Sequence, residues 1–372
     1  MRILLTGGGT GGHLYPLLSV AKAIQKEVKE PVEFLYLGPC NSFSEMILKQ
    51  NGIPTKNIMA GKWRRYFSLK NPFDALKVPI GILQSLFKLL FFMPDVVFSK
   101  GGYGSVPAVV ASRIYWIPIV IHESDAIPGR ANRFMEHFSD IIAISYEMTA
   151  SYTNPTKTIF TGNTVKEDIL NGNLEEAKKT LGISGVKPVL LVLGGSQGSK
   201  KINEVVTQIL PRLIQTYEII HQCGEKNYDE TKDLAGKSGL KPGREGYHLV
   251  PYFKDGLNHA LAAADLVLSR AGATTIAEIA ACGKPSILVP LANSANDHQL
   301  HNGFEVAKRG GAMVLREENL TPEMLLGKID SLMNDLSLRK QMSEKVKYFF
   351  VPDASKKIAQ IVLELASKEK LK

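Results

Sequence analysis

Short runs of consecutive apolar residues recur along the first half of the chain, separated by longer stretches of mixed polarity. Arg2–Thr6, Val32–Leu37, Val96–Ser99, Ile117–Ile121 and Ile141–Ile144 are brief and rich in Val, Ile and Leu. Such runs predict strands covered on both faces, as in a parallel sheet. Leu14–Lys29 and Val78–Phe92 read as helices between them. The alternation predicts a doubly wound α/β domain. Residues 163–187 are polar and charged, and read as a linker followed by a helix. The apolar runs then restart at Val189–Leu193 and continue at Tyr217–His221, His248–Pro251, Leu266–Ser269 and Ser286–Pro290. A last amphipathic helix with a Lys-rich face begins near Pro352. We therefore expect two Rossmann-like domains facing a cleft, residues 1–162 and 163–351, with residues 352–372 packing back on the first.

Each half opens with a strand that runs into glycines. In the first, Gly7-Gly8-Gly9-Thr10-Gly11-Gly12-His13 follows the strand directly. Glycines let a backbone approach a ligand closely, and the following helix directs free N–H groups at the loop. The loop also satisfies GxGxxG, but a dinucleotide site needs an acid at the end of the second strand. That strand ends in Gly38-Pro39-Cys40, so a nicotinamide-dependent oxidoreductase is disfavoured. His13 stands where loop becomes helix and is a candidate general base, because imidazole accepts a proton near neutral pH.

In the second half Gly194-Gly195-Ser196-Gln197-Gly198 repeats the arrangement without the Gly-Lys-Ser/Thr ending of a Walker loop. Ser196 can donate to a phosphate or cap a helix. Further on, Thr275 and Glu278 have capping-box spacing. The same segment can instead rest a diphosphate on the helix N-terminus, with Glu278 accepting from a ribose diol. Asp297-His298-Gln299 follows an irregular stretch, and Gln299 offers a donor and an acceptor for sugar hydroxyls. No DxD pair and no HExxH spacing occurs, so no metal and no cofactor is expected.

Composition narrows the setting. The chain of 372 residues carries a net charge of +9, concentrated in its first half, which suits anionic partners. Three cysteines without CxxC spacing suit a reducing compartment. No apolar run approaches the ~18 residues of a membrane span, and we expect no signal peptide. Lys62-Trp63-Arg64-Arg65-Tyr66-Phe67-Ser68-Leu69-Lys70 interleaves cations with aromatics. That pattern suits anionic head groups at a membrane interface. Val78–Phe92 is too apolar for a purely solvated helix and reads either as core or as part of such a surface.

Six motifs occur in order: Gly8–His13, Lys100–Tyr103, His122–Asp125, Gly194–Gly198, Ser269–Ala273 and Asp297–Gln299. Together they resemble the MurG family, the UDP-N-acetylglucosamine transferases of peptidoglycan synthesis, over nearly the whole chain. The resemblance implies a GT-B fold and an inverting, metal-independent transfer. N-acetylglucosamine would pass from UDP-GlcNAc to the MurNAc 4-hydroxyl of polyprenyl-linked lipid I, giving lipid II. It implies a peripheral enzyme on the cytoplasmic face of the membrane, with no nucleic-acid partner. By position, Thr10, Gly11 and Gly12 would line the acceptor side, and Ser196 would meet the diphosphate. Ala273, Thr274 and Thr275 would present a helix start to phosphate, with Glu278 on the ribose and Gln299 on the sugar. Phe253 and Lys254 would offer backbone to uracil. His13 is the implied base, with Asp125 and Glu123 as alternatives. Asp125 stands where some members have Asn. Thr164 and Lys166 stand where the family often has Pro and Arg, and Lys lacks the bidentate fork. Another UDP-sugar enzyme of the same fold, a 2-epimerase or a glycolipid transferase, is the alternative. A basic nucleic-acid or membrane module would not need two glycine-loop domains.

Overall fold

The computed structural model describes residues 1–8, 11–61, 70–195, 197–240, 242–243, 246–292 and 294–368. Their strands are β1 (Arg2–Thr6), β2 (Glu33–Gly38), β3 (Thr55–Asn57), β4 (Val96–Ser99), β5 (Ile119–Glu123), β6 (Ile141–Ile144) and β7 (Thr158–Phe160) in a first sheet. A second sheet holds β8 (Val189–Leu193), β9 (Glu218–Gln222), β10 (Tyr247–Val250), β11 (Leu266–Ser269), β12 (Ser286–Leu288) and β13 (Met313–Val314). The strand orders are β3-β2-β1-β4-β5-β6-β7 and β10-β9-β8-β11-β12-β13, and every pairing is parallel. Both sheets wind outward from the middle in the doubly wound manner that the alternating pattern predicts.

Side chains of the first sheet alternate between two cores, as the period of two requires. Ile3, Leu5, Phe34, Tyr36, Val96 and Phe98 meet Leu14, Leu17, Val20 and Ile24 of the helix Gly11–Glu27. Leu4, Leu35, Leu37, Val97, Ile119 and Ile121 face the other way, onto Leu89 and onto Ala108 and Val109 of the helix Val106–Ile114. The helix Ala354–Lys368 buries Ile358, Ala359, Val362 and Ala366 in the first of these cores.

Three strands went unread in the sequence. All three lie at sheet edges: β3 and β7 have three mostly exposed residues each, and β13 has two half-buried ones, too short to stand out as strands. The helix expected from Val78 extends back to Lys70 and carries Pro79 in its interior rather than in its first turn. Gly81 is required there. A Cβ at this position would stand 1.9 Å from the Met59 carbonyl oxygen of the segment crossing the helix.

The chain divides into two compact units, Met1–Lys166 with Val351–Lys372, and Glu167–Phe350. The first division falls after Lys166 instead of 162. Asn163 and Thr164 are buried in the first unit, Ser19 donates to the Val165 carbonyl at 3.5 Å, and the Lys166 ammonium lies 4.6 Å above the Tyr15 ring.

Ile358→Ala should destabilise the first unit by about 2–5 kcal/mol, the usual cost of truncating a buried Ile. Denaturant unfolding followed by hydrogen exchange reads this out. Faster exchange should appear in the helix Gly11–Glu27, and unchanged protection there would mean that the terminal helix does not stabilise it.

Candidate active site

In a doubly wound sheet, ligands settle at the carboxyl ends of the strands where the winding reverses. In the first unit that place lies between β1 and β4. β1 runs into Gly7, whose carbonyl accepts a hydrogen bond from the Tyr36 hydroxyl at 2.8 Å. β4 runs into Lys100-Gly101-Gly102, and Gly102 has a φ of +84°, a conformation that favours glycine. His13 lies in the first turn of the helix Gly11–Glu27, between the two loops. A Cβ on Gly8 would stand 3.0 Å from its Nδ1, and one on Gly102 would stand 3.0 Å from its Nε2. The glycines leave the space that the imidazole occupies. At Gly12 a Cβ would meet nothing within 4 Å, so the helix start is open there.

The charges around His13 are buried. Lys100 is only 3% exposed, and burial lowers its ammonium from the ordinary value, opposed by Glu123 and Asp125. Burial, then the Lys100 charge, push the His13 imidazole down to about 4, with Asp125 pulling the other way. The neutral imidazole that results at neutral pH can accept a proton. Glu123 ends β5 and faces a different task. One carboxylate oxygen accepts from the Asp125 N–H at 2.9 Å; the other accepts from the Gly129 N–H at 3.0 Å and the Asn132 amide at 2.7 Å. Burial, then the neighbouring Asp125, raise its pKa. Glu123 therefore holds the loop 124–132 in place, a different role from the proton acceptor considered in the sequence. Asp125 remains half-buried beside His13. His122 is a core histidine, its Nε2 lying 3.0 Å from Ser145 Oγ and its pKa held well down by burial. Lys166 is placed over Tyr15 of the same helix as His13. Thr10 lies outside the described residues.

In the second unit the winding reverses between β8 and β11. Ser199 caps the helix Lys200–Thr216 after the first glycine loop, its hydroxyl accepting from Ile202 N–H at 3.4 Å. Ser196 lies outside the described residues. After β11 the helix Ala273–Ala281 begins two residues before Thr275, and Gly272 is its N-cap without any side-chain hydrogen bond. The capping box expected of Thr275 and Glu278 is thus not formed. Among the described residues no side chain caps the first-turn N–H groups of Ala273, Thr274 and Thr275, and a helix start of this kind suits an anion. Glu278 lies one turn further on and is 8% exposed.

Three polar side chains hold these loops, and the sequence reading assigned none of them. Gln222, the last residue of β9, donates from Nε2 to the Gly195 carbonyl at 3.0 Å and accepts from the Phe253 N–H at 3.4 Å. Lys254 beside it is exposed. Asn302 donates to the Ala271 carbonyl at 3.2 Å. Arg270 donates to the carbonyls of Val289 and Pro290 at 3.2 and 3.4 Å and pairs with Glu317. Lys100, Gln222 and Arg270 share one signal, a polar residue at or just after the carboxyl end of a buried strand. Gln299, expected to offer both donor and acceptor, has its Oε1 already accepting from the Leu291 N–H at 2.9 Å. Among the described residues, its amide NH2 is the end left for a ligand.

A third feature lies on the surface of the first unit. The helix Lys70–Phe92 turns Ile82, Leu86, Leu89 and Phe92 to the core. Its other side exposes Leu76, Ile80, Leu83, Phe87, Leu90 and Phe91. Nearby in the chain, Trp116 is 73% exposed with the Arg113 guanidinium 5.3 Å from its ring. Residues 62–69 lie outside the described residues. No helix among the described residues is long and apolar enough to cross a membrane.

Residues 3–144 match the glycosyltransferase family 28 N-terminal domain, and residues 189–358 match the glycosyltransferase family 28 C-terminal domain. The chain is 40% identical over 333 residues to the UDP-N-acetylglucosamine–N-acetylmuramyl-(pentapeptide) pyrophosphoryl-undecaprenol N-acetylglucosamine transferase of Clostridium perfringens, covering 89% of this chain and 90% of that one. It is 34% identical over 369 residues to the like-named protein of Bacillus cytotoxicus, covering 99% and 100%. A crystal structure of Acinetobacter baumannii MurG superposes with a TM-score of 0.75 at 25% identity, covering 98% and 99%. A UDP-GlcNAc 2-epimerase from Neisseria meningitidis, at 17% identity and a TM-score of 0.67 over 98% and 100%, shares the fold.

Imidazoles held neutral by their surroundings should make the protein sensitive to acid. Burial holds His13 near 4 and His221 near 3, against an ordinary 6.5. Below pH 6.5 the unfolded chain takes up these protons first. Their contribution to stability is complete above 6.5 and is lost as the pH falls towards 4 and 3. An NMR titration should place the His13 midpoint near 4, and Lys100→Met should move it upward. A wild-type midpoint near 6.5, or one that ignores Lys100→Met, would contradict this account of the electrostatics.

Proposed function

The chain belongs to glycosyltransferase family 28, and from that premise we infer that it is a hexosyltransferase of GT-B fold acting in peptidoglycan synthesis. It moves N-acetylglucosamine from UDP-GlcNAc onto lipid I, the N-acetylmuramyl-pentapeptide carried on pyrophosphoryl-undecaprenol. The observation that carries this reading is identity of 34–40% to transferases of that name along nearly the whole chain.

The second unit holds the donor. The uncapped helix start at Ala273, Thr274 and Thr275 and the loop containing Ser196 neutralise the diphosphate. Glu278 accepts from the ribose hydroxyls, Gln299 donates to a hydroxyl of the sugar, and Phe253 and Lys254 lie along the uracil. The first unit holds the acceptor, with Thr10, Gly11, Gly12 and Lys166 along its path. In the transfer, the MurNAc 4-hydroxyl oxygen forms a bond to C1 of the sugar, and the bond from C1 to the UDP oxygen breaks. The hydroxyl proton passes to neutral His13, and the electron pair leaves with UDP. Attack opposite the leaving group inverts C1. Asp125, close enough to raise the His13 pKa, stabilises the imidazolium formed. Amides and a helix dipole take up the charge on UDP, so the reaction needs no metal.

The acceptor's lipid tail requires the enzyme to reach the bilayer from the cytoplasmic side. The exposed apolar side of the helix Lys70–Phe92, with Trp116 and Arg113, supports a peripheral docking surface on the first unit. The cations of residues 62–70 would add about 1 kcal/mol each on anionic lipid.

Transfer of radiolabelled GlcNAc from UDP-GlcNAc to a lipid I analogue tests the activity, and it should persist in EDTA. His13→Gln should lower kcat by about 10²–10⁴-fold, the usual share of a general base, with UDP affinity kept. Glu278→Ala should weaken UDP binding by roughly tenfold or more, as for a lost charge-assisted hydrogen bond. Wild-type turnover in His13→Gln would transfer the base role to Asp125.

Vesicle co-sedimentation tests the surface. Leu83→Ser with Phe87→Ser and Phe91→Ser should reduce binding to all vesicles. Replacing Lys62, Arg64, Arg65 and Lys70 by Ser should remove a salt-sensitive preference for anionic ones. Sedimentation equal to wild type in both variants would place docking elsewhere.

A further inference from the structure

The donor-sugar reader Gln299 is the second residue of the helix His298–Lys308, and the segment 289–292 upstream of it is held by a charge pair that stands outside it. Glu317 begins the helical turn Glu317–Asn319, and Arg270 directly follows β11, 47 residues earlier. One Glu317 carboxylate oxygen pairs with the Arg270 guanidinium, and both side chains are mostly buried, at 17% and 11% exposed. The other oxygen accepts from the Ala292 N–H at 2.9 Å. A second guanidinium nitrogen of Arg270 donates to the carbonyls of Val289 and Pro290. The pair thus grips residues 289, 290 and 292. The residue between them, Leu291, donates its N–H to Gln299 Oε1 at 2.9 Å.

Stability alone is a weak reason for such a pair. Burying two charges costs about as much as their attraction returns, and apolar side chains of similar volume often serve as well. Between the 289–292 segment and the helix, Asn296 and Asp297 hold φ angles of +54° and +48°, in the left-handed region that Asn and Asp enter more readily than other residues bearing a Cβ. The carboxamide of Gln299 also has two ends of opposite polarity. Fixing its oxygen on Leu291 N–H decides that the end turned to a ligand is the donor. A site built to pair with a hydroxyl discriminates strongly against a ligand that lacks it, because the buried donor is then left unpaired.

We propose that Glu317, through Arg270 and the 289–292 segment, is a positioning residue that sets donor-sugar specificity by fixing the orientation of Gln299. The proposal rests on the reading of Gln299 as the group that meets a donor-sugar hydroxyl. Glu317 itself touches no substrate in this account. Its loss should act on the choice of sugar and leave the binding of UDP, which lacks the sugar, unchanged.

The test compares kcat/KM for UDP-GlcNAc with that for its 3-, 4- and 6-deoxy analogues, in the full-length enzyme. Gln299→Ala should collapse the preference at one hydroxyl by about tenfold or more, the size of a lost buried hydrogen bond. Glu317→Gln, which keeps the shape and removes the charge, should lower the same preference by roughly tenfold, with Kd for UDP unchanged. Added to Gln299→Ala it should change that preference by less than about twofold, since residues acting through one another are not additive. Arg270→Lys keeps the charge but loses the fork, and should shift the same ratio in the same direction. It carries the test if Glu317→Gln does not fold. If Gln299→Ala lowers one preference and neither Glu317→Gln nor Arg270→Lys does, the proposal is wrong and the donor reading stands. An undiminished effect of Glu317→Gln in the Gln299→Ala background also overturns it. If Gln299→Ala changes none of the three ratios, the reading of Gln299 fails and the proposal falls with it.

Discussion

A parallel sheet wound outward from its middle must send the connections after its two central strands to opposite faces. In the first unit the helix after β1 packs on one core and the helix after β4 on the other. Nothing in the sheet can fill the gap that opens between these diverging connections. Helix N–H groups and loop amides point into it, and a polar ligand is their natural complement. The second unit repeats the arrangement after β8 and β11. Several of the motif residues singled out in the sequence follow from this constraint. His13, Lys100, Ala273 and Thr274 lie where a central strand ends and its connection begins.

The two units settle their buried charges differently. Around His13, Lys100 and Glu123 have little solvent, and Glu123 is balanced mainly by neutral donors of its own loop. Burial first, and then the Lys100 charge, keep the imidazole uncharged. Around Gln299, Arg270 and Glu317 face each other directly, and their remaining hydrogen-bonding capacity goes to backbone. The result there is geometry rather than potential.

Central strands, glycine loops and the doubling of the fold were legible because each leaves a local mark. β1, β4, β6 and β8 announce themselves as apolar runs, and the glycine loops follow β1 and β8 directly. Edge strands such as β3 and β7 are too short and too wet to do so. The helix that reads from Val78 in the sequence begins at Lys70 and carries Pro79 in its interior. The spacing of Thr275 and Glu278 read as a capping box, but β11 ends early enough for the helix to begin at Ala273. Glu123 showed its type in the sequence but not its commitments, which come from Gly129 and Asn132. The Arg270–Glu317 pair had no local mark, being a contact across 47 residues.

The order of segments along the chain has a consequence for synthesis. The helix Ala354–Lys368 supplies Ile358 and Val362 to the core of the first unit, yet it comes after every residue of the second. During translation the second unit is complete before the first possesses all of its core. An emerging polypeptide thus lacks the part of this core that Ala354–Lys368 supplies while some 200 further residues are made, at about 5–20 residues per second. For that interval, of tens of seconds, the nascent first unit depends on cellular chaperones or on its own partial stability.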